Sequence, residues 1–148
     1  MYKKIMVAID DSETSRCALA EALSIAKTGN AQLYITHVAD ETLMGMSGRT
    51  FSTSMNIDNA IQAIADAGQK MLDEAIKQAE GIRAETLLLE ARNRRVSETL
   101  TEKAKELGID LIVIGRHGKR GLATLILGSV AEQVAKMAEA SVLLVRQH

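Results

Sequence analysis

The chain has no proline and no tryptophan, one cysteine, and only two tyrosines and one phenylalanine. Each shortage excludes something. A lone Cys17 cannot close an internal disulfide, and its setting among Ala and Leu marks a small core filler rather than a nucleophile. With aromatic residues at 2%, the core must be built from Ala, Leu, Ile, Val and Met, and few rings remain to stack nucleic-acid bases. No run of one charge sign is present: 18 basic and 19 acidic side chains leave a net charge of -1, which argues against nucleic acid or an anionic membrane as partner. No apolar stretch approaches the ~20 residues needed to span a bilayer. The start, "MYKKIMVAIDDS", turns acidic too early for a secretory h-region, so a cytoplasmic protein is expected.

What is present is an ordinary globular composition, 47% hydrophobic and 25% charged over 148 residues, suited to one domain spanning 1–148. "KKIMVAID" reads as a first strand, and "DDSETS" after it supplies side-chain oxygens for a helix start; Asp11 and Ser12 are expected to act as caps. Leu19, Ala22, Leu23 and Ala26 recur at helical spacing up to Gly29-Asn30, and "AQLYITHV" follows as a second strand. From Ala39 to about Asp58 the chain loses periodicity and reads as a long exposed loop containing Met44, Met46 and Met55. Residues 57–80 return to helical spacing until Gly81. "AETLLLEA" is a third strand, "VSETLTEKAKEL" a third helix closed by Gly108, and "DLIVIG" a fourth strand apolar enough to be buried on both faces. "SVAEQVAKMAEA" and "SVLLVRQ" supply the last helix and strand.

Strands alternating with helices predict an α/β fold: a doubly wound five-stranded parallel sheet, order 3-2-1-4-5, with helices on both faces. Ligands of such sheets bind beyond the carboxyl ends of the strands, so the loops after strands one, three and four carry the candidate chemistry. The last is the richest. Gly115, Gly118 and Gly121 let a ligand approach the main chain, and Gly128-Ser129 opens a helix whose N-terminus offers free N–H groups and partial positive charge to phosphate. Ser129, taken alone, reads as the cap of that helix. Arg116, Lys119 and Arg120 add charge nearby, and one of Arg92, Arg94 and Arg95 is a candidate for reaching terminal phosphates, against a plainer reading as solvated surface charge. His37, His117 and His148 lack partners at metal-ligand spacing and read as packing, loop and tail residues.

The loop is neither a Walker A sequence nor a dinucleotide fingerprint. Its spacing is G-x2-G-x9-G-S, counted from Gly115, Gly118, Gly128 and Ser129, and it resembles the ATP-binding branch of the universal stress protein family. "KKIMVAIDDSETS", "LYITHV", "DLIVIGRHGKRG", "LILGSVAEQV" and "SVLLVR" extend the similarity along essentially the whole chain. The resemblance implies Asp10, Ala8 and Val38 beside adenine and ribose and Ile114 and Gly115 on the ribose side. It also implies Gly118, Gly128, Ser129 and Val130 as donors to the phosphates. The chain departs from the family pattern in lacking a proline after strand three, "ARNRRVS", and another before the last strand, "AEASVLLV". The expected ligand is ATP, or AMP or another adenine nucleotide, with Mg2+ carried by the phosphates.

A receiver-type reading, in which Asp10 and Asp11 hold Mg2+ for aspartyl phosphorylation, fails at strand three, where "LLLEARNRR" offers Glu90 and a basic cluster instead of a phosphoacceptor. No catalytic residue and no protein metal site are assigned. The expected function is a nucleotide-dependent stress-response regulator or sensor, a homodimer paired through the last strand at 141–146, with a regulatory protein partner of unspecified identity. The alternative is a weak ATPase or a phosphotransferase using the same site.

Overall fold

The computed structural model describes residues 1–40, 54–117 and 127–147. Five parallel strands, β1 (Lys4–Ala8), β2 (Gln32–Ala39), β3 (Ala84–Glu90), β4 (Leu111–Gly115) and β5 (Ser141–Val145), form one sheet in the order β3-β2-β1-β4-β5. Between them run α1 (Glu13–Gly29), α2 (Ser54–Ile76), α3 (Val96–Leu107) and α4 (Ser129–Met137). Alternation along a strand sends successive side chains to opposite faces. On one face Ile5 and Val7 pack with Leu33, Ile35 and Val113 beneath α1 and α2. On the other, Met6 packs with Tyr34 and Ile112 beneath α3 and α4. In register, Val7 lies opposite Ile35 on one side and Val113 on the other, so the central strands are apolar on both faces.

The scarcity of rings is met by small residues. Ala18, Ala22 and Ala26 form the buried stripe of α1 and let its backbone come close to the sheet. Ser12 caps α1, its hydroxyl accepting the Ser15 N–H at 3.2 Å. The helix stops at Asn30, which takes the left-handed conformation (φ 52°) and donates to the carbonyls of Ala26 and Lys27. Among the described residues no helix is long and apolar enough to cross a membrane.

Four element ends differ from the periodicity. Ala39 belongs to β2 and is buried, and α2 starts at Ser54, so the stretch expected to be loop from Ala39 to Asp58 is ordered secondary structure at both ends. Its remainder, with Met44 and Met46, lies outside the described residues; Met55 falls in the first turn of α2. The α2 pattern gives way to a 3-10 turn at Lys77–Ala79. Finally, α4 ends at Met137 although "AEA" continues a good helical composition, because Ala138 turns extended (φ -68°, ψ 138°) to bring Ser141 into register with Leu111. Strand pairing overrides local propensity there.

Candidate functional site

Strand β1 has β2 on one side and β4 on the other, while the chain leaving β1 runs to α1 on one face and the chain leaving β4 runs to α4 on the opposite face. The two connections diverge and open a crevice at the carboxyl ends of the strands. A cavity of about 1140 Å3 occupies it, bounded by the ends of β1, β2 and β4, the start of α4, and side chains of α2 and α3.

The loop after β1 is a closed network of its own polar groups. The Asp10 N–H donates to Ser15 Oγ at 2.8 Å, and Asp10 Oδ1 accepts the Ser12 N–H at 2.8 Å. Thr14, buried in the first turn of α1, donates its hydroxyl to the His117 carbonyl and so ties α1 to the chain leaving β4. Gly115 is a product of the same contact. A Cβ there would lie 2.8 Å from Thr14 Oγ1 and 3.0 Å from the Thr14 carbonyl carbon. Its φ is not positive, so close approach of α1, rather than conformational freedom, is what calls for glycine.

At the other wall, α4 begins with Gly128 as N-cap (φ -59°, ψ 148°) and no side chain caps it. Ser129 is the first helical residue and does not act as the cap, contrary to expectation: its side chain lies one position too late. The Gly128 N–H, expected to serve phosphate, donates instead to the Arg116 carbonyl at 2.9 Å. Helical geometry leaves the amides of Ser129, Val130 and Ala131 as the group without an intrahelical acceptor. They carry the partial positive charge of the helix end at the cavity wall.

Of the residues expected in the site, Ala8, Asp10, Val38, Ile114, Gly115, Gly128, Ser129 and Val130 all line this one cavity, whereas Gly118 lies outside the described residues, as do Lys119 and Arg120. The arginines after β3 are placed elsewhere. Arg92 pairs with Glu90 at 3.1 Å, Arg94 pairs with Glu98 at 3.8 Å and with Glu102, and Arg92, Arg94 and Arg95 are exposed and outside the cavity wall. Arg92 and Asn93 take positive φ (50° and 66°), making the turn that carries this cluster onto the surface. Of the two caps expected for α1, Ser12 occupies the N-cap position, and Asp11 lines the cavity.

The charge of the wall was not foreseen. Asp10, Asp11, Asp40 and Glu132 line the cavity, and no Lys or Arg does among the described residues. Also unforeseen is the α2 wall, where Ile64, Ala67, Gly68 and Met71 line the cavity and Gly68 stands against His37. A glycine in the middle of the helical run "IADAGQKML" was the available signal, since a mid-helix glycine marks close packing.

Fold and cavity together define a doubly wound α/β domain with an open crevice at its topological switch point. The model of the Universal stress protein family matches residues 1–146, and the chain belongs to that family. Universal stress protein YxiE of Bacillus subtilis is 35% identical over 151 residues, covering 99% of this chain and 100% of the relative. A universal stress protein from Archaeoglobus fulgidus, solved in complex with dAMP, is 26% identical with a TM-score of 0.65, covering 97% of this chain and 98% of its own. A universal stress protein solved in complex with cAMP is 25% identical with a TM-score of 0.61, covering 97% and 96%.

Proposed function

We propose that this chain binds an adenine nucleotide, ATP by preference and AMP as the alternative, in the cavity at the switch point. The uncapped amide end of α4 opening into that cavity is the observation that carries the reading. The dAMP and cAMP complexes of related proteins add support. Ala8, Asp10, Val38, Ile114 and Gly115 take the base and sugar. The amides of Ser129 and Val130 take the phosphates, and Gly118 and Gly128 complete that end. Binding, not turnover, is the role: occupancy of the site biases pairing of two copies through 141–146, where β5 is the sheet edge with Val142 to Val145 only partly covered. A cytoplasmic stress-response regulator or sensor fits this behaviour.

The test separates amide from hydroxyl. Proline is tolerated at the first helical position, and Gly128 already has the extended conformation that a following proline requires. Ser129→Pro deletes one amide donor and the hydroxyl while leaving α4 intact, and Ser129→Ala deletes the hydroxyl alone. Isothermal titration is expected to show AMP and ATP binding to Ser129→Pro about tenfold more weakly than to Ser129→Ala, with an unchanged melting temperature. Equal affinities would remove the helix terminus from the site. In the wild type, ligand at about 100 times its Kd should add roughly 2.7 kcal/mol of stability.

Asp10 and Glu132 stand in the same wall as the α4 amides, so the phosphate tail suited to it is one already carrying Mg2+, whose waters can donate to those carboxylates. Chelation by EDTA is therefore expected to weaken ATP about tenfold, or about 1.4 kcal/mol, and AMP less than twofold. Equal losses for the two nucleotides would exclude a phosphate-borne cation.

A further inference from the structure

His37 was expected to be a packing residue of the second strand, yet its ring lies at the meeting point of β1, β2 and α2 in the cavity wall. Its Nδ1 is 2.7 Å from the main-chain oxygen of Ile9. A carbonyl can only accept, so Nδ1 carries the hydrogen, in the neutral tautomer and the imidazolium alike. The β1–β2 ladder ends at the same place, with the Ile9 N–H on the Thr36 carbonyl at 2.8 Å. Past that bond main-chain pairing no longer guides β1, and the imidazole takes over.

The peptide group joining Ile9 to Asp10 is thereby held at both ends. Its oxygen accepts from His37, and its N–H, that of Asp10, donates to Ser15 Oγ at 2.8 Å. Two bonds on opposite sides of one planar unit fix its orientation, and with it the direction in which the Asp10 side chain leaves the backbone. Helix α2 is shaped to admit the ring. A Cβ on Gly68 would sit 2.8 Å from His37 Cδ2 and 2.9 Å from Leu88 Cδ1, so any larger residue there would force the imidazole, the Leu88 side chain or α2 itself to shift.

We infer that His37 is a positioning residue of the nucleotide site: through Nδ1–H it orients the 9–10 peptide and so presents the Asp10 carboxylate to the ligand. This rests on the nucleotide-binding reading above, and the experiment keeps the two apart. His37→Asn places an amide N–H close to the Nδ1 position, whereas His37→Phe keeps the ring shape without a donor. AMP affinity is measured by titration, and hydrogen exchange at the Asp10 and Ser12 amides is followed by NMR in the ligand-free protein. The expected result is about tenfold weaker AMP binding and about tenfold faster Asp10 exchange in His37→Phe, with His37→Asn within about twofold of wild type in both.

Phenylalanine matching the wild type in affinity and exchange would overturn the inference. So would asparagine failing as badly as phenylalanine, since the ring itself, and not its donor, would then be what counts. If the wild type binds no adenine nucleotide while Asp10 exchange still follows the Nδ1 donor, the ligand assignment falls and the orienting role of His37 stands.

Discussion

Gly115→Val is expected to lower stability by about 3 kcal/mol in urea unfolding, corresponding to a fall of roughly 6–12 °C in Tm for a domain of this size. The Cβ alone would stand 2.8 Å from Thr14 Oγ1 and 3.0 Å from the Thr14 carbonyl carbon. The hydroxyl is committed to the His117 carbonyl and is not free to turn aside, and a backbone carbon has no rotamer to escape into. Helix α1 must therefore move off β4, which also disturbs the Ser12 and Ser15 contacts that hold Asp10. Thr14→Ala in the same chain should recover only part of the loss, because the contact with the backbone carbon survives. Were the glycine present solely for the ligand's sake, valine would abolish binding and leave the unfolding midpoint untouched, and that pattern would refute the packing account.

Leu72→Ala should cost about 3–4 kcal/mol, again read from urea unfolding with an unchanged slope. Leu72 is 0% exposed and is, among the described residues, the one large side chain that α2 buries completely; Ala75 and Ala79 continue its stripe toward the sheet. Removing it takes away the large buried side chain of a 23-residue helix and leaves a void in the core it shares with Leu33 and Ile35. Gly68 and Met71, one turn or less away, are part of the cavity wall, so nucleotide affinity should fall along with stability. An alanine variant within 1 kcal/mol of the wild type, a threshold of roughly half the smallest cost seen for such truncations, would mean that α2 is held by something other than this contact.

The sheet was legible because its central strands are sandwiched. Residues such as Ile5 to Val7 and Leu111 to Ile114 must be apolar on both faces, and that produces short unbroken runs no surface element imitates. The cavity wall at β1, β4 and α4 was legible for a related reason: glycines, carboxylates and hydroxyls directly after an apolar strand are costly unless the main chain has work to do there. What the linear order hid were contacts between distant segments. Nothing near Gly115 announces Thr14, and nothing near His37 announces Gly68. The assignment of the α4 cap to Ser129 failed on a single pair of dihedral angles, since Gly128 and Ser129 differ only in which of them is the last extended residue. For the arginine cluster the plainer of the two readings, solvated surface charge, is what the structure shows, with Glu90, Glu98 and Glu102 pairing two of the three.

Arg116 joins two regions by its main chain alone. Its N–H donates to the Val145 carbonyl on the edge strand, and its own carbonyl receives the Gly128 N–H at the head of α4. A second copy added to that edge would tug on the Val145 end of this relay, while a nucleotide would settle against the other. Thermodynamic reciprocity then sets the terms: by whatever factor the nucleotide alters self-association, self-association must alter nucleotide affinity equally. Measuring how the apparent Kd drifts with protein concentration would therefore reveal how stiff a single residue's backbone is as a lever between two surfaces.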